Sequence, residues 1–255
     1  MFERITVKQL DSYIYLMDED HSATGYLVLG TEKAAMIDTM NGNENLLAVV
    51  RTITDLPVMV INTHGHPDHI GGNPYFDNAW MSPADVPMAK RFISDPECQE
   101  WLAKEGLTMP PFQPLNGGDV IDLGGVQLEV IDMPGHTPGG ILLLNRADGT
   151  LFTGDAINWH TWLQLEDTLP LMQCLAHLNS FEPRWSEVKR IAHGHAQGFD
   201  DPELLRYHRD AVQELVNGQT VNDTDYQYFA GTVKAHHYQV EPMLIVYDPA
   251  RPVDR

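Results

Sequence analysis

The stretch VINTHGHPDHIGG, residues 60–72, packs His64, His66, Asp68 and His69 into six consecutive positions. A surface loop has no need of so much imidazole, and a strand buried in a core could not accommodate it. The apolar run that leads in, LPVMVINTH, reads as a strand, so these side chains open a loop at its C-terminal end. His64 and His66 are two apart and can turn to one side to clasp a cation. Asp68 and His69 follow after one residue and can reach a second cation beside it. Gly65 and Pro67 add little side-chain bulk, and Gly71-Gly72 permit a tight turn. Nitrogen and carboxylate donors without thiolate suit zinc, iron or manganese.

Three more apolar runs end in the same way. VQLEVIDMPGH runs into His136, TLFTGD into Asp155 and VKRIAHGH into His195. As strands, their C-terminal ends fall along one sheet edge, where open α/β sheets commonly carry their sites. His136 stands in PGHTPGG, a loop stiffened by glycine and proline. Asp155 directly follows its strand, and a carboxylate there can bridge two metals. His195 stands in HGHAQG.

Helices are expected between the strands. NGNENLLAVVRTI offers Asn43 as an N-cap, and SPADVPMAKRFI offers Ser82, with Pro83 at the first helical position and Asp85 three residues on. EDTLPLMQCLAHL is apolar at Leu171, Cys174, Leu175 and Leu178, a helical spacing. In DDPELLRYHRDAVQELVNG, Asp201 caps, Pro202 opens and Gly218 closes. The N-terminal SYIYLMDEDHSATGYLVLGTEKAAMID reads as a strand meander with turns at 18–22 and 30–33, and PMLIVYD as the last strand. Strands and helices alternate twice over, which predicts an α/β sandwich. No repeat, low-complexity segment or Pro/Gly/Ser-rich linker divides it.

Composition excludes several roles. The chain has 255 residues, 43% hydrophobic and 20% charged, ample for a globular core. No run approaches the ~20 apolar residues of a membrane span, and MFERITVKQL lacks the apolar core of a signal peptide. A cytoplasmic protein without a membrane partner is expected. A net charge of −20 repels phosphate backbones, so no nucleic acid partner is expected. Cys98 and Cys174, far apart in sequence, read as free buried thiols.

The ordered set H-x-H-x-D-H, P-G-H-T-P-G, G-D and G-H resembles the metallo-β-lactamase superfamily, over residues 10 to 217. The resemblance implies an α/β fold of four layers, an αβ/βα sandwich, with metals at the edge where two sheets meet. It implies that His64, His66 and His136 bind a first metal, that Asp68, His69 and His195 bind a second, and that Asp155 bridges them. Residues 1–255 are then one domain, with 218–255 a C-terminal extension packing on it. Only His195 follows a glycine, as the family's Gly-His pair does, so His193 is read as a supporting residue. Asp38, in MIDTM, matches an Asp-Thr-Gly element and is expected to hydrogen-bond a ligand from behind. Met40 replaces its glycine, so the local turn is expected to differ.

Further residues carry weaker signals. Trp159, His160 and Trp162, in GDAINWHTWLQ, are read as a loop over the metals that walls a substrate pocket, with His160 a candidate proton donor. His236-His237 and Tyr238 read as an exposed or strand-packed group, though a fold back to the pocket is open to them. His21 sits in a hairpin turn that often rims the pocket in this superfamily. His177 and His208 read as plain helical histidines, and Met81, Met88, Met109 and Met133 as packing.

Two divalent metals ~3.5–4 Å apart can hold a hydroxide and lower the pKa of bound water to about 7. The resemblance therefore implies a hydrolase of a small-molecule thioester, ester or lactone, of the glyoxalase II-like type. It would carry two divalent ions per chain, zinc first, with iron or manganese as alternatives. Asp68 would be catalytic, orienting the hydroxide or accepting its proton. β-Lactam cleavage fits poorly, because the superfamily's lactamases generally lack the bridging aspartate. The basic C-terminal domain of glutathione thioesterases is not evident: the last 38 residues hold only Lys234, Arg251 and Arg255. The alternatives are a sulfur dioxygenase-like iron oxidoreductase, a phosphodiesterase, or a silent binding module on the same fold. A homodimer is compatible with all of them.

Overall fold

Apolar-rich runs, almost continuously buried from β2 onward, build the N-terminal meander as expected: β1 (Ile5–Gln9), β2 (Ile14–Glu19), β3 (Ala23–Leu29) and β4 (Ala34–Ile37) pair antiparallel in order. The chain then alternates helices with parallel strands. α1 (Leu46–Val50) leads to β5 (Val58–Ile61), α2 (Pro67–Ile70) to β6 (Ala79–Met81), and α3 (Val86–Ile93) with α4 (Pro96–Glu105) to β7 (Phe112–Pro114). These seven strands form one sheet in sequence order. β8 (Val120–Asp122), β9 (Gln127–Asp132), β10 (Ile141–Asn145), β11 (Thr150–Gly154), β12 (His160–Leu163) and β13 (Arg190–His193) follow, with α5 (Leu171–Phe181) before the last of them. All but β12 form a second sheet, ordered β13-β11-β10-β9-β8. α6 (Glu203–Val216), β14 (Thr224–Tyr228), β15 (Gly231–His237) and β16 (Leu244–Tyr247) complete the chain. This computed structural model describes residues 2–251 and 253. Met1, Pro252, Asp254 and Arg255, at the ends of the expected 1–255 unit, lie outside the described residues.

The period of two along each strand sorts side chains into layers. Ile14, Leu16, Ile37 and Ile61 of the first sheet meet Leu128, Val130, Ile141, Leu143 and Phe152 of the second in one buried cluster. Met17, Leu27, Met36 and Val60 face the other way, onto Leu46, Val49 and Val50 around α1. Leu142, Leu144, Leu151 and Ile191 face away from the shared core, onto α5 and α6. Helix, sheet, sheet and helix make the four-layer αβ/βα sandwich of an α/β fold.

Several local expectations need correction. α1 is capped by Asn45, not Asn43; its side chain accepts from the Ala48 amide at 3.0 Å. α3 starts at Val86, not after Ser82. Residues 82–85 close a turn instead, and Pro87 rather than Pro83 sits in the first helical turn. α4 was not expected, because it buries only Cys98 and Leu102 and so shows little apolar periodicity. The segment around Trp159–Trp162 is not a loop. Its partner, β16, joins it in parallel from eighty residues downstream, a pairing no local pattern announces.

Strands β14, β15 and β16 extend β12 into a third sheet, ordered β12-β16-β15-β14. Tyr238, Met243, Ile245 and Tyr247 of this C-terminal segment pack in the same cluster as α5 and α6. Among the described residues no helix is long and apolar enough to cross a membrane. Cys98 and Cys174 are free and buried.

Candidate metal centre

β5 of the first sheet and β9, β11 and β13 of the second all run out at one edge. Their close approach there has a visible cause: a Cβ at Gly154 would run into the Thr63 side chain across the sheets. His64, His66, Asp68 and His69 leave β5, His136 follows β9, Asp155 follows β11, and His195 follows β13.

Ligand atoms of His64, His66 and His136 lie within 4.8 Å of one another, and so do those of Asp68, His69 and His195. In each imidazole of the first group that has a second partner, that partner selects which nitrogen faces the centre. His136 Nδ1 donates to the Trp162 carbonyl at 2.7 Å, which leaves Nε2 beside His66 Nδ1 at 2.9 Å. Thr63 Oγ1 sits 3.0 Å from His64 Nδ1, so His64 Nε2 is the atom turned inward. In the second group His69 Nε2 is 3.6 Å from Asp68 Oδ2, and His195 Nδ1 donates to the Ser22 carbonyl at 2.7 Å. Asp155 lies between the groups. Its Oδ2 is 3.1 Å from His195 Nε2 and 3.8 Å from His136 Nε2, and its Oδ1 is 3.6 Å from His69 Nε2.

Three of these atoms, His64 Nε2, His69 Nε2 and Asp155 Oδ1, are buried without a hydrogen-bond partner. Orphaned buried polar atoms are costly, and here they point at common centres. Gly194 adds to the fit, because a Cβ on it would strike Asp155 Oδ1 and come within 2.6 Å of His69 Cε1. The donor set is nitrogen and carboxylate oxygen with no thiolate, as divalent zinc, iron or manganese accept. The residues present therefore fit two cations.

Electrostatics divides the histidines. Burial, reinforced by neighbouring imidazoles, holds His64 and His66 well below the usual histidine range, so both are neutral donors. His69 is buried too, yet Asp68, Asp155 and Asp38 together hold it well above that range. The Asp155 carboxylate pushes His195 up to about 9. Burial works against ionisation of Asp155, but His195 and His69 outweigh it and hold its carboxyl well below the usual range. A divalent cation bound there would compete with protons for the nitrogens of His69 and His195.

Asp38 and His193 bond to residues of the donor loops, and one further residue joins them. Asp38 accepts from the Thr63 amide and hydroxyl, each at 2.7 Å, and faces His69 Nδ1 at 2.9 Å. The turn behind it retains the left-handed backbone that a glycine would favour: Met40 itself adopts φ +59°, and its side chain is fully buried. That burial offsets a conformational cost of ~1–2 kcal/mol. His193 does not face the two donor groups. It accepts from the His195 amide at 3.2 Å and lies 3.2 Å from Asp200. Asp85 is the addition. Its buried carboxylate accepts from the Gly65 amide at 3.0 Å, from the Thr137 hydroxyl at 2.7 Å and from the Gly139 amide. One carboxylate so ties the His64–His66 loop to the His136 loop. Its partners lie up to 54 residues away, and SPAD by itself reads as a helix start.

The groups form the floor of a cavity of about 820 Å³ whose lining includes Trp159, His160 and Trp162. In β12 exposure alternates, so His160 and Trp162 share the cavity side while Thr161 and Leu163 are buried. Trp159 donates through Nε1 to Asp200 at 2.8 Å and stands beside Tyr207. Burial and the charge of His195 push His160 down. Phe199, Gln197 and Phe229 also line the cavity, and nothing in their local sequence announces it. His236 and His237 do not reach it. His236 is buried between Asp223 and Glu214, and His237 bonds Thr224. His21 pairs with Asp18 instead, and His208, pushed down to about 4 by burial, packs beside Asn158 and Thr161.

His195→Ala is expected to lower metal content and turnover far more than His193→Ala, which should cost only about 10–100-fold. Elemental analysis and rates on the two variants check this; equal effects would show that His195 has been misassigned.

The family model of the metallo-beta-lactamase superfamily matches residues 19–195. Acyl-coenzyme A thioesterase MBLAC2 of Gallus gallus is 28% identical over 235 residues, covering 78% of this chain and 83% of that protein. A hydroxyacylglutathione hydrolase of Bdellovibrio bacteriovorus is 27% identical over 147 residues, covering 58% of this chain but 49% of the relative. Among solved structures, a metallo-beta-lactamase from Pontibacter korlensis superposes with a TM-score of 0.64 at 21% identity, over 82% of this chain and 99% of that one. At that identity the likeness is one of fold.

Proposed function

This chain belongs to the metallo-beta-lactamase superfamily, and on that premise we propose that it is a dinuclear metal-dependent hydrolase of small-molecule thioesters. The observation that carries the reading is the convergence of seven donor residues, three of them with buried atoms that have no other partner. His64, His66 and His136 would hold one cation and Asp68, His69 and His195 the other, with the Asp155 carboxylate between the two groups. Two divalent cations, when bound there, supply a nucleophilic water with a pKa near 7 and polarise the carbonyl under attack.

The chain's own residues do the rest. The Asp68 side chain is 34% exposed, more open than those of His69 and Asp155, and so is placed to orient the attacking water and take its proton. Asp38 and Asp85 hold His69 and the two histidine loops in position. Trp159 and Trp162 offer apolar surface to the substrate, beside His160. Residues 1–255 act as one unit, with 218–255 a C-terminal extension packing on it, from which Phe229 lines the cavity.

The relatives named acyl-coenzyme A thioesterase and hydroxyacylglutathione hydrolase support a thioester as the substrate. Leaving-group chemistry agrees. A thiol of pKa about 8.5 departs as thiolate without a proton, whereas an alkoxide needs a proton donor as it leaves. Activated esters and lactones remain within reach of the same attack. Zinc is the first choice of metal, with iron and manganese suited to the same donors.

Elemental analysis of gently purified protein, with a panel of thioesters, lactones, aryl esters and phosphodiesters, tests the reading. Two equivalents of metal and preferential thioester turnover are expected. One equivalent of iron with sulfur oxidation, or turnover confined to phosphodiesters, would overturn it.

A further inference from the structure

We infer that the cavity recognises the acyl arm of its substrate against an aromatic wall supplied by the C-terminal hairpin, and takes the thiol arm through neutral amides, without recognising phosphate. The inference rests on the thioester reading above. It starts from the two unlike sides of the cavity.

On the His136 side, the carbonyl of Trp162 accepts the His136 Nδ1 hydrogen bond, so this indole is fixed one residue from the first donor group. The rings of Tyr226, Tyr228 and Phe229 gather around it, with centroids 6.2, 6.1 and 6.1 Å away. All three belong to β14 or to the turn after it, beyond the residues 19–195 that match the family model. Phe229 is 83% exposed and yet lines the cavity. Burying a phenylalanine ring is favourable in proportion to the apolar surface removed from water, and folding leaves most of that unrealised here. An apolar ligand lying on Trp162 would cover it.

On the His195 side the lining combines neutral amides with carboxylates and, among the described residues, carries no lysine or arginine. Ser22 accepts from His195 through its carbonyl and from the Asn41 side chain, at 3.3 Å, through its hydroxyl. Asn41, Gln197 and Gly198 line the cavity there. Among the described residues no lysine or arginine lines it, and its charged lining groups include Asp68, Asp155 and Asp200. Lys8 reaches Gln197, but its Nζ donates to the carbonyl of that residue at 2.8 Å. A carrier bearing several phosphates therefore meets no lysine or arginine in the lining and a chain of net charge −20. A carrier arm made of amides meets amide partners.

A thioester lying across the two donor groups thus puts its acyl chain on Trp162 and Phe229 and its amide-bearing thiol along Asn41 and Gln197. Hydrolysis adds water across the C–S bond and releases a carboxylic acid and a thiol. Recognition before that step depends on acyl length and is indifferent to the charge of the carrier.

The test uses metal-loaded, full-length protein and acetyl, hexanoyl and decanoyl thioesters of both coenzyme A and N-acetylcysteamine. On each thiol, kcat/KM is expected to rise at least about tenfold from acetyl to decanoyl. The uncharged carrier should serve within about threefold of coenzyme A or better. Phe229→Ala and, separately, Trp162→Ala should each lower the decanoyl-to-acetyl ratio by about tenfold, through KM. Val221→Ala, at a site 93% exposed and outside the cavity lining, should leave the ratio as it was. A flat acyl profile with brisk turnover, a coenzyme A preference above about tenfold, or an unchanged ratio in both aromatic variants overturns the inference while leaving the thioesterase reading intact. Failure of every thioester with metal bound overturns both.

Discussion

Asp155→Ala is expected to lower turnover by about 10³-fold or more and to release at least one metal equivalent, while the protein stays folded. The scale is that of losing a preorganised group which stabilises charge at the reacting centre. The geometry makes the loss unusually direct. Asp155 is the carboxylate whose oxygens face histidines of both donor groups, at 3.1 Å from His195, 3.6 Å from His69 and 3.8 Å from His136. Without it, two cations would sit close together with their repulsion less compensated. Elemental analysis, circular dichroism and rates on one preparation provide the check. Near-normal metal content and rate in the variant would mean that Asp155 does not span the two cations.

Gly194→Ala should be nearly as damaging, although it adds one methyl group and removes no ligand. The new Cβ would collide with Asp155 Oδ1 and lie 2.6 Å from His69 Cε1. Gly194 has no backbone angle in the left-handed region, so alanine can adopt its conformation. The clash therefore falls on the site and not on the fold. Asp155 or His69 must move, and a displacement of about 1 Å at a reacting centre can cost 10²-fold. Expected are a rate reduced by about that factor, weaker retention of the second metal, and an unchanged thermal midpoint in metal-free protein. A large drop in that midpoint would place the defect in folding; unchanged metal content and rate would show that the glycine is not needed there.

Much of this was legible because the signals are local. An apolar run ending in H-x-H-x-D-H states its own strand, its own loop and the class of metal it suits. His136, Asp155 and His195 each carry a short signature at a strand end, and each arrives in one of the two donor groups or between them. The α/β alternation likewise follows from apolar periodicity, which burial in one core enforces residue by residue.

What stayed hidden depends on partners far away in the chain. Asp85 looked like part of a helix start, and only folding brings Gly65, Thr137 and Gly139 to its carboxylate. The helix caps slipped by a few residues because several candidates stand near each start, and the winning one is chosen by where the strands fix the backbone. The four residues His160–Leu163 became a strand because β16 offered its edge. The sequence by itself determined the sandwich and pointed out the candidate donors, since both are written in spacings of a few residues. The tertiary structure decided which nitrogen each histidine turns inward, which carboxylate lies between the groups, and which aromatic side chains wall the cavity. Those are questions of contact between segments up to a hundred residues or more apart, and contact across such distances is set by packing and not by any local pattern.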